Sequence, residues 1–155
     1  MKKILLLLSV VLICFAVGCG RTTNKEIDDE SIIFTATSSK LEIDEDTTLE
    51  DYLIALREAD ELTFTGDYSG LGLFITSMNG KANETISSTL NSSEGYSWTV
   101  YIDFLDIDGV LYAVDSATVT YKGKTLYKAN YGVSYIPCLE GHTYAFVYEY
   151  YNFTW

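Results

Sequence analysis

The stretch YSWTVYIDFLDIDGVLYAVD, residues 96–115, concentrates side chains that could do chemistry: Asp103, Asp106, Asp108 and Asp115 around Gly109, with aromatic residues alternating ahead of them. Carboxylates so spaced raise the question of a calcium loop. An EF-hand loop needs oxygen ligands at its first, third, fifth and twelfth positions and glycine at the sixth. Setting Gly109 at the sixth puts Asp106, Asp108 and Asp115 at the third, fifth and twelfth, but the first is then Phe104, which has no side-chain oxygen. Asp103 misses the register by one, and the flanking residues alternate like strands rather than helices. Asp-Gly between alternating segments signals a hairpin, because both central residues of that turn need positive φ. The stretch therefore reads as a hairpin tip, with a calcium-binding rim at Asp106, Asp108 and Asp115 as the alternative.

Catalytic patterns find little support. His142 is the only histidine, and it stands in a turn-like CLEGH segment. No Gly-x-Ser-x-Gly elbow, Walker loop, His-Glu-x-x-His helix or paired cysteines occur. The expectation is binding without catalysis and without a resident cofactor. The 13 Tyr, 7 Phe and 2 Trp suit that role, since tyrosine offers apolar contact and a hydroxyl while freezing few torsions. Tyr96, Trp98, Tyr101, Tyr131 and Tyr135 are the candidate ligand-gripping rings. Trp98 shares one strand parity with Val100, Ile102 and Phe104, which also fits a core position. Tyr96 and Tyr101 lie near the loop end or on the opposite parity, where exposure is expected.

Several elements must position these rings. SIIFTAT predicts a first strand, and Leu49, Tyr52, Leu53, Leu56 and Ala59 recur at helical spacing behind a Thr47/Glu50 capping-box pair. After Asp60 the pattern is β throughout. LTFTG and LGLFITSM predict strands, the second running into an Asn79-Gly80 turn, and residues 82–95 read as a Ser/Thr/Asn-rich surface loop. A strand is expected near SATVTY, a turn at Lys122-Gly123, and then a strand whose face carries Tyr127, Ala129, Tyr131, Val133 and Tyr135. TYAFVYEYYNFTW predicts the last strand. The order indicates an α+β domain, a mixed sheet of about five to seven strands with one helix packed on one face.

The N-terminus speaks to location. Lys2 and Lys3 precede an apolar run too short to span a bilayer comfortably, which is the order of an export signal. Ala16-Val17-Gly18-Cys19 resembles the lipobox of bacterial lipoproteins, in which the cysteine becomes the first residue and carries a thioether-linked diacylglycerol. An ordinary secretory signal with a chance cysteine is the alternative. The resemblance implies a signal peptide at 1–18 and a lipid anchor at Cys19, on the extracellular face of a bacterial, Gram-positive cell membrane. Residues 19–30 then read as an acidic flexible tether to a domain at 31–155. Loss of the leader moves the formal charge from −12 to −14, a surface that repels nucleic acid. Cys14 leaves with the leader and Cys19 is acylated, so Cys138 has no partner and is read as a buried thiol.

TTLEDYLIAL, FITSMNG, YSWTVYID and YGVSYIPCLEGHTYAFVYE together resemble the family typified by the C-terminal domain of transcobalamin and intrinsic factor. Thr48, Leu49, Leu53, Asn79, Gly80, Trp98, Tyr101 and Gly141 match its pattern, over roughly residues 31–151. The segment DFLDIDG departs from the Asn-Gly usual after the Trp strand, and His142 stands where aspartate is common. The resemblance implies a β-grasp-like fold and a small-molecule, cobalamin-like ligand; Asn79 is a further candidate ligand-binding residue, and that reading expects an aromatic pocket beside the Asn79 turn and the 106–109 tip. A helical partner domain is absent from this chain, so a separate protein partner is part of that expectation. The second reading is a protein or cell-wall interaction module built on the tyrosine-rich sheet.

Overall fold

The computed structural model describes residues 25–70 and 72–155. The signal peptide expected at 1–18 and the lipid anchor expected at Cys19 fall on positions outside the described residues. Among the described residues no helix is long and apolar enough to cross a membrane.

The chain order begins with β1 (Lys25–Glu26), β2 (Ile32–Thr35) and helix α1 (Leu49–Glu58). It continues with β3 (Phe64–Ser69), β4 (Gly72–Met78), β5 (Lys81–Ala82), β6 (Glu84–Ser88) and β7 (Ser92–Ile102). Then come β8 (Asp106–Ile107), β9 (Val110–Leu111), β10 (Ala113–Tyr121), β11 (Lys124–Ala129) and β12 (Thr143–Thr154). The main sheet has seven strands in the order β1-β10-β11-β7-β12-β2, with β6 also on β7. All its pairings are antiparallel except β1 with β10, so the sheet is mixed, as expected.

Strand alternation sets the two faces. Tyr144, Phe146 and Tyr148 of β12 stand opposite Ile102, Val100 and Trp98 of β7, and together they face the main core. The helix closes that face: Leu49, Tyr52, Leu53 and Leu56 are buried there, and the Tyr52 ring stacks on Phe34 at 5.5 Å. Each such side chain, fully withdrawn from water, contributes about 1.5–3 kcal/mol. Residues of opposite parity, Tyr101, Ala145 and Val147, join Val119 and Leu126 in a smaller core on the other face.

That second core exists because the sheet curls. β1 and β2 are its opposite edges, yet only residues 27–31 join them, and these fold into a turn closed by the Ser31 amide on the Asp28 carbonyl. A flat six-strand path would hold its edges about 24 Å apart. The linker, fully extended, spans about 20 Å, and its turn shortens it further. Ile27 and Ile33, one from each edge, meet over the same small core.

The hairpin turns follow the sequence. Asn79-Gly80, Asp108-Gly109 and Lys122-Gly123 all have positive φ at both central residues, the geometry that tight hairpins demand. The acidic knot is thus the tip of the β8–β9 hairpin.

Four local expectations are corrected. The capping box is formed by Thr48 and Asp51, not Thr47 and Glu50, because the Thr47 hydroxyl is used by Asp44 at 2.7 Å to close the preceding turn. Residues 82–95 are not a loop; they hold β5's end, β6 and the start of β7. β6 is exposed along its whole length and so carries no apolar alternation to read. The tyrosine-row strand ends at Ala129, after which the chain turns into a 3-10 turn at Val133–Tyr135. Tyr131 and Tyr135 therefore do not share a strand face with Tyr127. Finally, β1 falls inside the segment read as a tether, so ordered pairing reaches back to Lys25.

Candidate functional site

β7 is paired with β12 along its whole length, but its other side is shared. β6 covers residues 93–96 and β11 covers residues 101–102. Among the described residues, 97–100 thus have no strand neighbour on that side. Asn83 fills one end of the gap: its Oδ1 accepts the Trp98 amide at 3.1 Å and its Nδ2 donates to the Ile75 carbonyl at 2.9 Å. The Trp98 amide points away from β12, and strand alternation turns the Val100 amide and carbonyl the same way, into the gap.

A cavity of about 590 Å³ occupies this opening. Leu73, Ile75, Trp98, Val100 and Val133 line it from the side of the main core, and Ser97, Thr99, Lys128 and Glu149 from the opposite parity. Tyr131, Tyr151, Phe74 and Phe153 form an aromatic rim. The site is a slot between strand ends, mostly apolar and with a few convergent polar groups, which is the usual composition of small-molecule sites.

The polar end is organised by Glu149. Its carboxylate accepts the Tyr101 hydroxyl at 3.0 Å and the Lys128 ammonium at 3.3 Å. Burial, then the charge and hydrogen bond of Glu149, push the Tyr101 phenol well above its ordinary range, so it remains a donor. Leu73 in the slot wall is held by Ser134, whose hydroxyl accepts the Leu73 amide at 2.8 Å and donates to Glu50 of α1. Two further cavities adjoin. One of about 490 Å³ includes Val110, Tyr112, Tyr131 and Tyr135, and one of about 450 Å³ includes Tyr68, Phe74 and Leu73. Gly132 borders all three.

The sequence candidates are dispersed by this arrangement. Tyr131 stands at the slot rim and Tyr135 in the adjoining cavity, both about half exposed. Trp98 forms the slot's inner wall but is a core residue, with its indole N–H on the Lys81 carbonyl at 2.8 Å. Tyr101 is not exposed as expected; the curl gives its face a core of its own, and it reaches the slot only through Glu149. Tyr96 belongs to a different recess. Asn79 is a turn residue whose Oδ1 accepts the Thr63 amide at 3.1 Å. Asp106 and Asp108 stay in their hairpin and Asp115 on β10, and among the described residues no three acidic, histidine or cysteine side chains gather as a metal site.

Sequence reasoning missed Asn83, Lys128, Glu149 and Phe74. Glu149 had a legible signal, a lone carboxylate amid the apolar and aromatic run of β12. It also missed that His142 has a partner, Asp103, whose Oδ1 lies 2.7 Å from Nδ1. Comparison with protein-family models, with curated proteins and with solved structures found no match.

Proposed function

We propose that the protein is a lipid-anchored, extracellular binding module that holds a small, flat, polar ligand in the β7 slot and does not catalyse. The observation that carries this reading is the 590 Å³ opening beside residues 97–100, where apolar walls, an aromatic rim and the Lys128–Glu149–Tyr101 group converge. The resemblance to transcobalamin-type domains adds cobalamin-like compounds to the candidates. A ligand selective for the folded chain at about 100 times its Kd adds about 2.7 kcal/mol of stability. A thermal-shift screen of corrinoids and other flat polar compounds should therefore raise the Tm of the wild type. Tyr131→Ala should weaken that response and Val100→Trp should remove it, with circular dichroism unchanged. A response that survives Val100→Trp would place the ligand elsewhere.

The anchor has its own test. Cys19→Ser should move the protein from the membrane fraction to the medium, and mass spectrometry of the wild type should find a diacylglycerol adduct at Cys19. The acidic surface of the chain disfavours nucleic acid as a partner.

A second reading is favoured by a separate observation. Ile86, Leu90, Phe153 and Trp155 are exposed at the far end of β6, β7 and β12. Such exposed apolar side chains suit contact with a protein or the cell wall. Protection of this end from amide exchange by an added cell-wall fraction would support that reading.

A further inference from the structure

The aromatic run on β7 and β12 continues beyond the helix. Trp98 lies 5.2 Å from Tyr148, Tyr148 stacks on Tyr96 at 5.7 Å, and Tyr96 meets Tyr150 edge-on at 5.6 Å. β2 pairs with β12 only as far as Phe146, so among the described residues the later part of β12 has no strand partner on that edge. A recess of about 780 Å³ opens there, between residues 28–30 and the turn at residues 80–82. Among the described residues its lining shares only Glu149 with the slot.

The chain has already placed a cation in this recess. The Lys81 ammonium sits 4.0 Å from the centre of the Tyr148 ring and is paired with Glu30. The ring face attracts positive charge through its quadrupole, more strongly where water is partly excluded. Four carboxylates, Asp28, Glu30, Glu84 and Glu149, line the recess against two lysines, Lys25 and Lys81. Lys81 and Glu30 are both exposed, at 38% and 68% of their side-chain surface, so their pairing is cheap to break. When Lys81 swings out, the Tyr148 face is freed beside Tyr96 and the Asp28, Glu30 and Glu84 carboxylates.

We propose that this recess binds a soluble quaternary ammonium ion, with Lys81 as its displaceable internal competitor. An alkylated ammonium holds its water less firmly than the lysine head it replaces, so it gains more from the ring faces. Glu30 and Glu84 supply the counter-charge.

The test titrates the full-length chain with choline chloride and with 3,3-dimethyl-1-butanol, the uncharged isostere, following tyrosine ring signals by NMR at constant ionic strength. Choline should saturate and the isostere should not. Lys81→Met should tighten choline by about two- to fivefold, because a competitor worth roughly one exposed cation–π contact is gone. Tyr96→Ala should weaken it, and Val100→Trp, which blocks the slot, should leave it unchanged, which separates this site from the proposed ligand slot. Equal responses to choline and its isostere, or a Lys81→Met chain with unchanged or weaker affinity, would overturn the proposal. Binding to phosphatidylcholine vesicles without any response to free choline would overturn the soluble source.

Discussion

Asp103 gathers three donors around a carboxyl whose side chain is only 6% exposed: Lys124 Nζ at 2.7 Å, the Thr143 amide at 3.0 Å and His142 Nδ1 at 2.7 Å. Burial alone would raise its pKa, but Lys124, His142 and the Thr143 N–H outweigh burial and hold it below the ordinary carboxylate value. A depressed carboxyl stabilises the fold fully above about pH 4, and that contribution is lost as pH falls through the lower folded value. Wild-type Tm should therefore drop on acidification below about pH 4. Asp103→Asn should cost about 1–3 kcal/mol at neutral pH and flatten that acid limb, as denaturation curves across pH would read. Cys138 makes the opposite case. It is fully buried, and burial followed by the charges of Asp51 and Glu140 pushes its thiol up to about 12. A thiol reagent at pH 8 should leave the native chain unlabelled and label one site, in the described region, only after denaturant is added.

At the scale of elements, the features that depend on local chemistry were legible. The helix stripe from Leu49 to Leu56, the three two-residue turns and the β7 and β12 alternations are each written in a few adjacent residues and stand where their patterns put them, whereas Ala59, expected to extend the stripe, is the exposed C-cap. β6 was not legible, because both of its faces meet water and the usual alternation has no reason to appear. Its attachment rests instead on backbone pairing at a close approach. A Cβ placed on Gly95 would lie 2.0 Å from the Glu84 carbonyl oxygen, so only glycine lets β6 seat against β7 there. Gly95→Ala should prise β6 away. Hydrogen exchange should then quicken by about tenfold or more in β6, while the β7–β12 amides keep their protection.

The whole molecule decides the rest. The slot was invisible in the sequence because it arises where two strands, β6 and β11, stop short of one another along a third. No local pattern encodes that gap. Tyr101 was misplaced for the same reason: only a curled sheet gives the second face an interior. Tyr131 reached the site by a turn and not by the strand that its parity suggested, since pairing with β7 ends beside Lys128.

The curl has one more outcome. β1 is two residues long, sits at the sheet's rim, and is held by its parallel register with Val119 and Thr120 and by the Ile27 amide on the Thr120 carbonyl. Tension on the backbone upstream of Lys25 meets this small latch first, whereas β7 and β12 share eleven register pairs deeper in the fold. Under load the rim peels and pays out slack before the interior feels the pull, so the latch behaves as a mechanical fuse.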